Sequence, residues 1–92
     1  MNQVIFNDAQ RIVSVNGTTT RLTEKEFLLL QLLYSNKGEI VERDTSLSSI
    51  WKNVDEFTRR SMDVYICKLR KKFKSFFEIE SIHSQGHKLI EI

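Results

Sequence analysis

Residues 58–74, TRRSMDVYICKLRKKFK, hold most of the side chains in this sequence that can grip an anion. Between Arg59 and Lys74 stand seven cations (Arg59, Arg60, Lys68, Arg70, Lys71, Lys72, Lys74) and a single acid, Asp63, a local charge of +6. The chain as a whole carries only +2, so the remaining residues sum to −4. Positive charge concentrated on one element, in a protein that is otherwise slightly acidic, is the footprint of a phosphate-binding surface rather than of general basicity.

Other chemistries find less support. Cys67, His83 and His87 are the soft ligands available, but two histidines flanking a turn and one remote cysteine lack the spacing of a metal site. No nucleophile, base and acid fall into a set, no glycine loop is built to cradle a phosphate, and no pair of carboxylates suggests acid–base work. Neither a cofactor nor enzymatic activity is expected. Cys67 lies among Lys68, Arg70 and Lys71, which could lower a thiol pKa for redox use. The simpler reading, a small neutral residue on an exposed face, is preferred.

The basic stretch also carries a core pattern. Met62, Ile66, Leu69 and Phe73 recur at i, i+4, i+7 and i+11, the buried stripe of a helix. Arg60, Asp63, Val64, Cys67, Lys68 and Lys71 then share the opposite face, over roughly 16 Å at about 1.5 Å per residue. That length suits one major groove. Upstream, Val4 and Phe6, then Ile12–Val15, then Thr18–Leu22 after the Asn16-Gly17 turn signal predict a small antiparallel sheet. Thr23 and Glu26 have capping-box spacing for a first helix to about Ser35, with Phe27, Leu30, Leu33 and Tyr34 inward. Ile40-Val41 reads as a short extended piece, and a second helix is expected from about Arg43 to Lys52 with Leu47, Ile50 and Trp51 on the core. Residues Asn53 to Phe57 read as a connection, and residues 80–90 as a second hairpin around Gly86. The predicted class is α+β: a winged helix-turn-helix with an N-terminal antiparallel sheet, a three-helix core and a C-terminal β-hairpin wing.

The 92 residues fit one domain spanning 1–92, with 40% hydrophobic and 28% charged residues as in an ordinary globule. A lone cysteine excludes an internal disulfide, and no leader or spanning segment is apparent, so a cytoplasmic setting without membrane contact is expected.

Four blocks in order resemble the DNA-binding domain of OmpR/PhoB-type response regulators, the output half of two-component signalling. They are Leu22-Thr23-x-x-Glu26-Phe27-x-Leu29-Leu30; Val41-x-Arg43-Asp44 with Ile50-Trp51; Arg60 through Lys72; and Gly86-His87-Lys88-Leu89. The resemblance implies a four-stranded N-terminal sheet, a third helix in the major groove and a wing at the minor groove. It implies base-edge contacts from Asp63, Val64, Cys67 and Lys68, with Arg60, Ser61, Tyr65, Arg70 and Lys71 nearer phosphates. The wing would contribute Gln85, His87 and Lys88, and the second helix would meet the backbone through Arg43 and Trp51. Chemically, lysine donates to guanine O6 and N7, a valine methyl packs on thymine, and aspartate accepts from cytosine N4. Alternative roles stay open: Arg43 bridging an acid such as Asp44 or Glu42, Trp51 as a packed residue, and Asp63 orienting a neighbouring base-contacting cation. Departures are Cys67 in place of a long polar side chain, Ser46 in place of an aliphatic, and a wing tip with lysine rather than arginine.

The resemblance further implies a receiver domain outside this chain, a sensor kinase, binding of direct-repeat half-sites as a dimer by an otherwise monomeric domain, and a loop at Lys52, Asn53, Asp55 and Glu56 able to meet RNA polymerase. A winged-helix module that sets its basic helix on an acidic protein is the rival reading.

Overall fold

A computed structural model describes residues 2–92. Three short strands come first: β1 (Val4–Asn7), β2 (Ile12–Val15) and β3 (Thr18–Arg21) form an antiparallel sheet in the order β1-β2-β3. Asn16 and Gly17 both adopt positive φ, at 52° and 86°, as a tight primed turn between right-twisted strands requires. Val13 and Val15 point into the core, and Phe6 packs edge-on against Phe27 of the first helix at 5.6 Å.

Helix α1 (Glu24–Ser35) begins as the sequence predicts. The Thr23 hydroxyl accepts from the Glu26 backbone N–H at 3.4 Å, and the Glu26 carboxylate accepts from the Thr23 N–H at 2.9 Å. Phe27, Leu30 and Leu33 are buried as expected, joined by Leu29, while Tyr34 is only half-buried.

The expectation of a four-stranded N-terminal sheet is corrected. Strand β4 (Ile40–Glu42) pairs with the C-terminal hairpin, giving a second sheet of order β4-β6-β5 with β5 (Phe77–Ile82) and β6 (Gly86–Glu91). The 12 residues of α1 advance the chain by about 18 Å, and its C-terminal end lies between β1 and β5, where the Tyr34 ring packs at 5.6 Å on Phe6 and on Phe77. Val41 then falls opposite His87 in an antiparallel register.

Helix α2 (Arg43–Ser46) runs on into a wider π-type turn (Leu47–Trp51), and Lys52 ends it in the left-handed region at φ 63°. Helix α3 (Glu56–Phe73) starts earlier than predicted. Asp55 caps it, its carboxylate accepting from the Thr58 N–H at 2.9 Å, so Glu56 and Phe57 lie in its first turn rather than in the connection. Met62, Ile66, Leu69 and Phe73 are all at most 2% exposed, which confirms the predicted stripe and fixes which side of α3 faces outward. Among the described residues, no helix is long and apolar enough to cross a membrane.

Candidate nucleic-acid interface

The outward side of α3 presents Arg60, Asp63, Val64, Cys67, Lys68 and Lys71, all exposed, with Val64 at 52%. A half-exposed valine among cations adds an apolar reading element to a charged face. The cations differ in how they are held. Arg60 pairs with Glu56 one turn back at 2.6 Å, in solvent, where such a pair contributes little. The Lys68 ammonium lies over the Tyr65 ring at 5.1 Å, a weak cation–π contact that holds it on this face while the residue stays exposed. Arg59, Lys68, Lys71 and Lys74 enter no ion pair among the described residues, so their charge is open to an external anion.

Helix α2 is tied to this face at two points. Arg43 donates to Asp63 at 3.0 Å, so the acid that Arg43 bridges is neither Asp44 nor Glu42. In the free chain Asp63 is paired with this helix-α2 cation rather than with a neighbour on its own face. Trp51 donates its indole N–H to the Ser61 hydroxyl at 3.0 Å and packs edge-on against Tyr65 at 5.6 Å. That N–H is already engaged in the free chain, which favours the packed role for Trp51 over a phosphate contact, while the Ser61 hydroxyl accepts it and keeps its own O–H to donate.

Two expected contacts are redirected. Arg70 turns away from the outward face, donating through Nε to the Ile79 carbonyl at 2.9 Å and through Nη2 to the Ser81 hydroxyl at 2.7 Å. His87 is 3% exposed, its side chain enclosed on the sheet face where the Arg43, Arg70 and Asp63 charges of α2 and α3 lie near it, rather than open at the wing surface. At the wing, Gln85 is exposed, while Lys88 is half-buried and faces Glu80 at 3.9 Å. Sequence reasoning left out Arg59, which lines one cleft with Arg43, Ser84 and Gln85. It also left out His83, exposed beside the hairpin tip. Arg59 stands four residues before Asp63, which would have placed it on the Asp63 face.

Burial, with the Arg43 and Arg70 charges nearby, pushes the His87 imidazole down to about 4 from its ordinary 6.5. The unfolded chain takes up this proton near pH 6.5 and the folded chain only near 4, so the stability of the neutral ring is complete above pH 6.5 and falls as pH drops towards 4. Between neutrality and pH 5 the loss should be about 2 kcal/mol. Urea denaturation of wild type and His87→Phe at both pH values checks this: the variant should lose less by about that amount, and equal losses would refute it.

Among the described residues, no three His, Cys, Asp or Glu side chains gather as a metal would need. Cys67 is a free thiol exposed on α3.

Comparison with known proteins gives the same picture. The family model for the C-terminal part of transcriptional regulatory proteins matches residues 17–89. The chain is 45% identical over 87 residues to the transcriptional regulatory protein RprY of Bacteroides fragilis, covering 92% of this chain and 37% of that protein. It is 33% identical over 90 residues to the cell cycle transcriptional regulator CtrA of Caulobacter vibrioides, covering 94% of this chain and 39% of that one. The chain thus spans less than half the length of these relatives. Among solved structures it is similar to the DNA-binding domain of Bacillus subtilis CssR, with a TM-score of 0.78, 30% identity, and 95% and 99% of the two chains covered. It is also similar to the Klebsiella pneumoniae RstA DNA-binding domain in complex with the RstA box, with a TM-score of 0.77, 25% identity, and 95% and 90% covered. With its two sheets, three helices and outward basic α3, the chain belongs to the family of C-terminal domains of transcriptional regulatory proteins, in the OmpR/PhoB-type winged-helix form.

Proposed function

We propose that this chain binds double-stranded DNA sequence-specifically, as the output domain of a two-component transcriptional regulator. The observation that carries the reading is the α3 face, where Val64, Cys67, Lys68 and Lys71 lie exposed and adjacent on a rigid helix whose other side is buried. Lys68 would donate to guanine, and Val64 with Cys67 would pack on thymine methyls. Arg59, Arg60 and Lys71 would meet phosphates, Arg43 would do so on exchanging Asp63 for the backbone, and Gln85 and Lys88 would follow from the wing.

Salt dependence is the direct test. Neutralising about five phosphates gives a slope of log affinity against log salt near −4.5, at roughly −0.9 per phosphate. Fluorescence anisotropy on a random-sequence duplex pool should return that slope. An absence of duplex binding, alongside tight binding of an acidic protein, would instead favour a protein-interaction module.

The wider setting belongs to the same proposal. A receiver domain elsewhere in the protein would answer a sensor kinase in the cytoplasm, and two domains would occupy direct-repeat half-sites while a single domain stays monomeric. The turn at Lys52 and Asn53, with Glu56 beside it, would meet RNA polymerase; Asp55 is committed to capping α3. Glu56→Ala should lower promoter output and leave duplex affinity within about twofold, and unchanged output would remove the polymerase contact.

A further inference from the structure

We infer that Arg70 is a positioning residue that locks the β5–β6 hairpin to α3, so that helix and wing meet a duplex at one fixed separation. This rests on the DNA-binding reading above. Arg70 sits between Leu69, which is fully buried, and Lys71, which is exposed, so its side chain leaves α3 at the margin of the core. Its guanidinium donates to Ile79 at 2.9 Å and to Ser81 at 2.7 Å, two points on one strand. These are the only side-chain hydrogen bonds between α3 and the hairpin among the described residues.

The remaining contact between hairpin and helix is apolar. Phe77 lies against Phe73 at 5.9 Å, and Ile79 and Leu89 are buried on the core. Apolar packing holds the hairpin down but is non-directional, and it resists tilting and sliding weakly. A planar fork with two acceptors fixes direction, which a lysine in its place would not. At its far end the hairpin is held again, where the Gln85 carbonyl accepts from the Arg43 N–H at 3.1 Å. The wing is therefore pinned to α3 from the middle to the end of β5 and to α2 at its tip, and its angle to the recognition face is set before any duplex arrives.

A residue that only touched phosphate would behave differently from one that holds the wing, and Arg70→Lys separates the two because it keeps the charge and removes the fork. Arg70→Lys should lower affinity for a random-sequence duplex pool by roughly tenfold, the order expected when an element must be ordered on binding, while leaving the salt slope unchanged. In the free chain, amide exchange of Glu80 to Ile82 should become about tenfold faster, as local opening gets easier. Ser81→Ala, which removes one acceptor and cannot disturb the core, should move both readouts in the same direction by a smaller factor. Wild-type behaviour of Arg70→Lys in both readouts, with Arg70→Gln losing about 0.9 of salt slope, would make Arg70 a plain phosphate contact and overturn the inference. Failure of the wild-type chain to bind any duplex would remove the DNA-binding reading instead, and faster exchange in Arg70→Lys would then leave the fork as a stabiliser of the hairpin alone.

Discussion

Gly86→Ala should destabilise the chain by more than about 3 kcal/mol, the range reserved for a severe backbone clash. A Cβ at that position would stand 2.0 Å from the Val41 carbonyl oxygen, 2.8 Å from the Val41 carbonyl carbon and 2.9 Å from the Glu42 Cα. All three are main-chain atoms of β4, so no rotamer change relieves the contact; β4 must separate from β6. Since Arg43 follows β4 directly, the start of α2 and its hold on Gln85 would move as well. Gly38→Ala is the control, because its Cβ would meet nothing within 4 Å although φ is 82°. Only the backbone strain, about 1 kcal/mol, should be lost there. Urea midpoints of both variants measure the contrast, and a Gly86→Ala chain within about 0.5 kcal/mol of wild type would mean that β4 and β6 do not approach as described.

The second large effect is expected at Glu26, whose side chain is 2% exposed and bonded to Lys72 at 2.8 Å. Burial alone would raise its carboxyl, but hydrogen bonds from the Lys72 ammonium and from Thr23 outweigh that and hold it below the ordinary carboxylate value. This carboxylate performs two tasks: it completes the cap of α1 and ties α1 to the end of α3. Glu26→Ala leaves the Thr23 N–H and the Lys72 ammonium without their partner, at a cost of about 2–3 kcal/mol. The figure stays below that of a fully buried pair because Lys72 is 38% exposed and keeps water. A depressed folded value means that the Glu26 contribution is present above the ordinary carboxylate value and is lost as pH falls through the folded one. Thermal or urea unfolding at neutral pH should show the loss, and a change under about 0.5 kcal/mol would contradict it.

These residues also show what the sequence could and could not reveal. The Thr23–Glu26 cap was legible because both partners lie within one turn, and so was the Met62–Phe73 stripe, whose period is set by the helix itself. The pairing of β4 with β6 was hidden, since Ile40–Glu42 and Gly86–Lys88 are joined by no local signal. The early start of α3 was missed because its box pairs Asp55 with Thr58, where the commoner form ends in glutamate or glutamine. At the site, periodicity found the exposed face and thus Val64, Cys67, Lys68 and Lys71. It could not show which polar side chains were already spent: Arg70 on β5, Trp51 on Ser61, Arg43 on Asp63. Those are tertiary pairs, and the burial of His87 was hidden for the same reason, since it comes from the packing of α2 and α3 on the face of the second sheet.

Selection from a random duplex pool would show whether α3 reads base sequence through Lys68 and its neighbours. The wild-type chain should enrich one repeated half-site, and Lys68→Ala should bind the same pool with relaxed preference at one or two positions, losing about 1–3 kcal/mol of discrimination there. Binding without enrichment, or an unaltered half-site recovered by Lys68→Ala, would show that this face meets only the phosphate backbone.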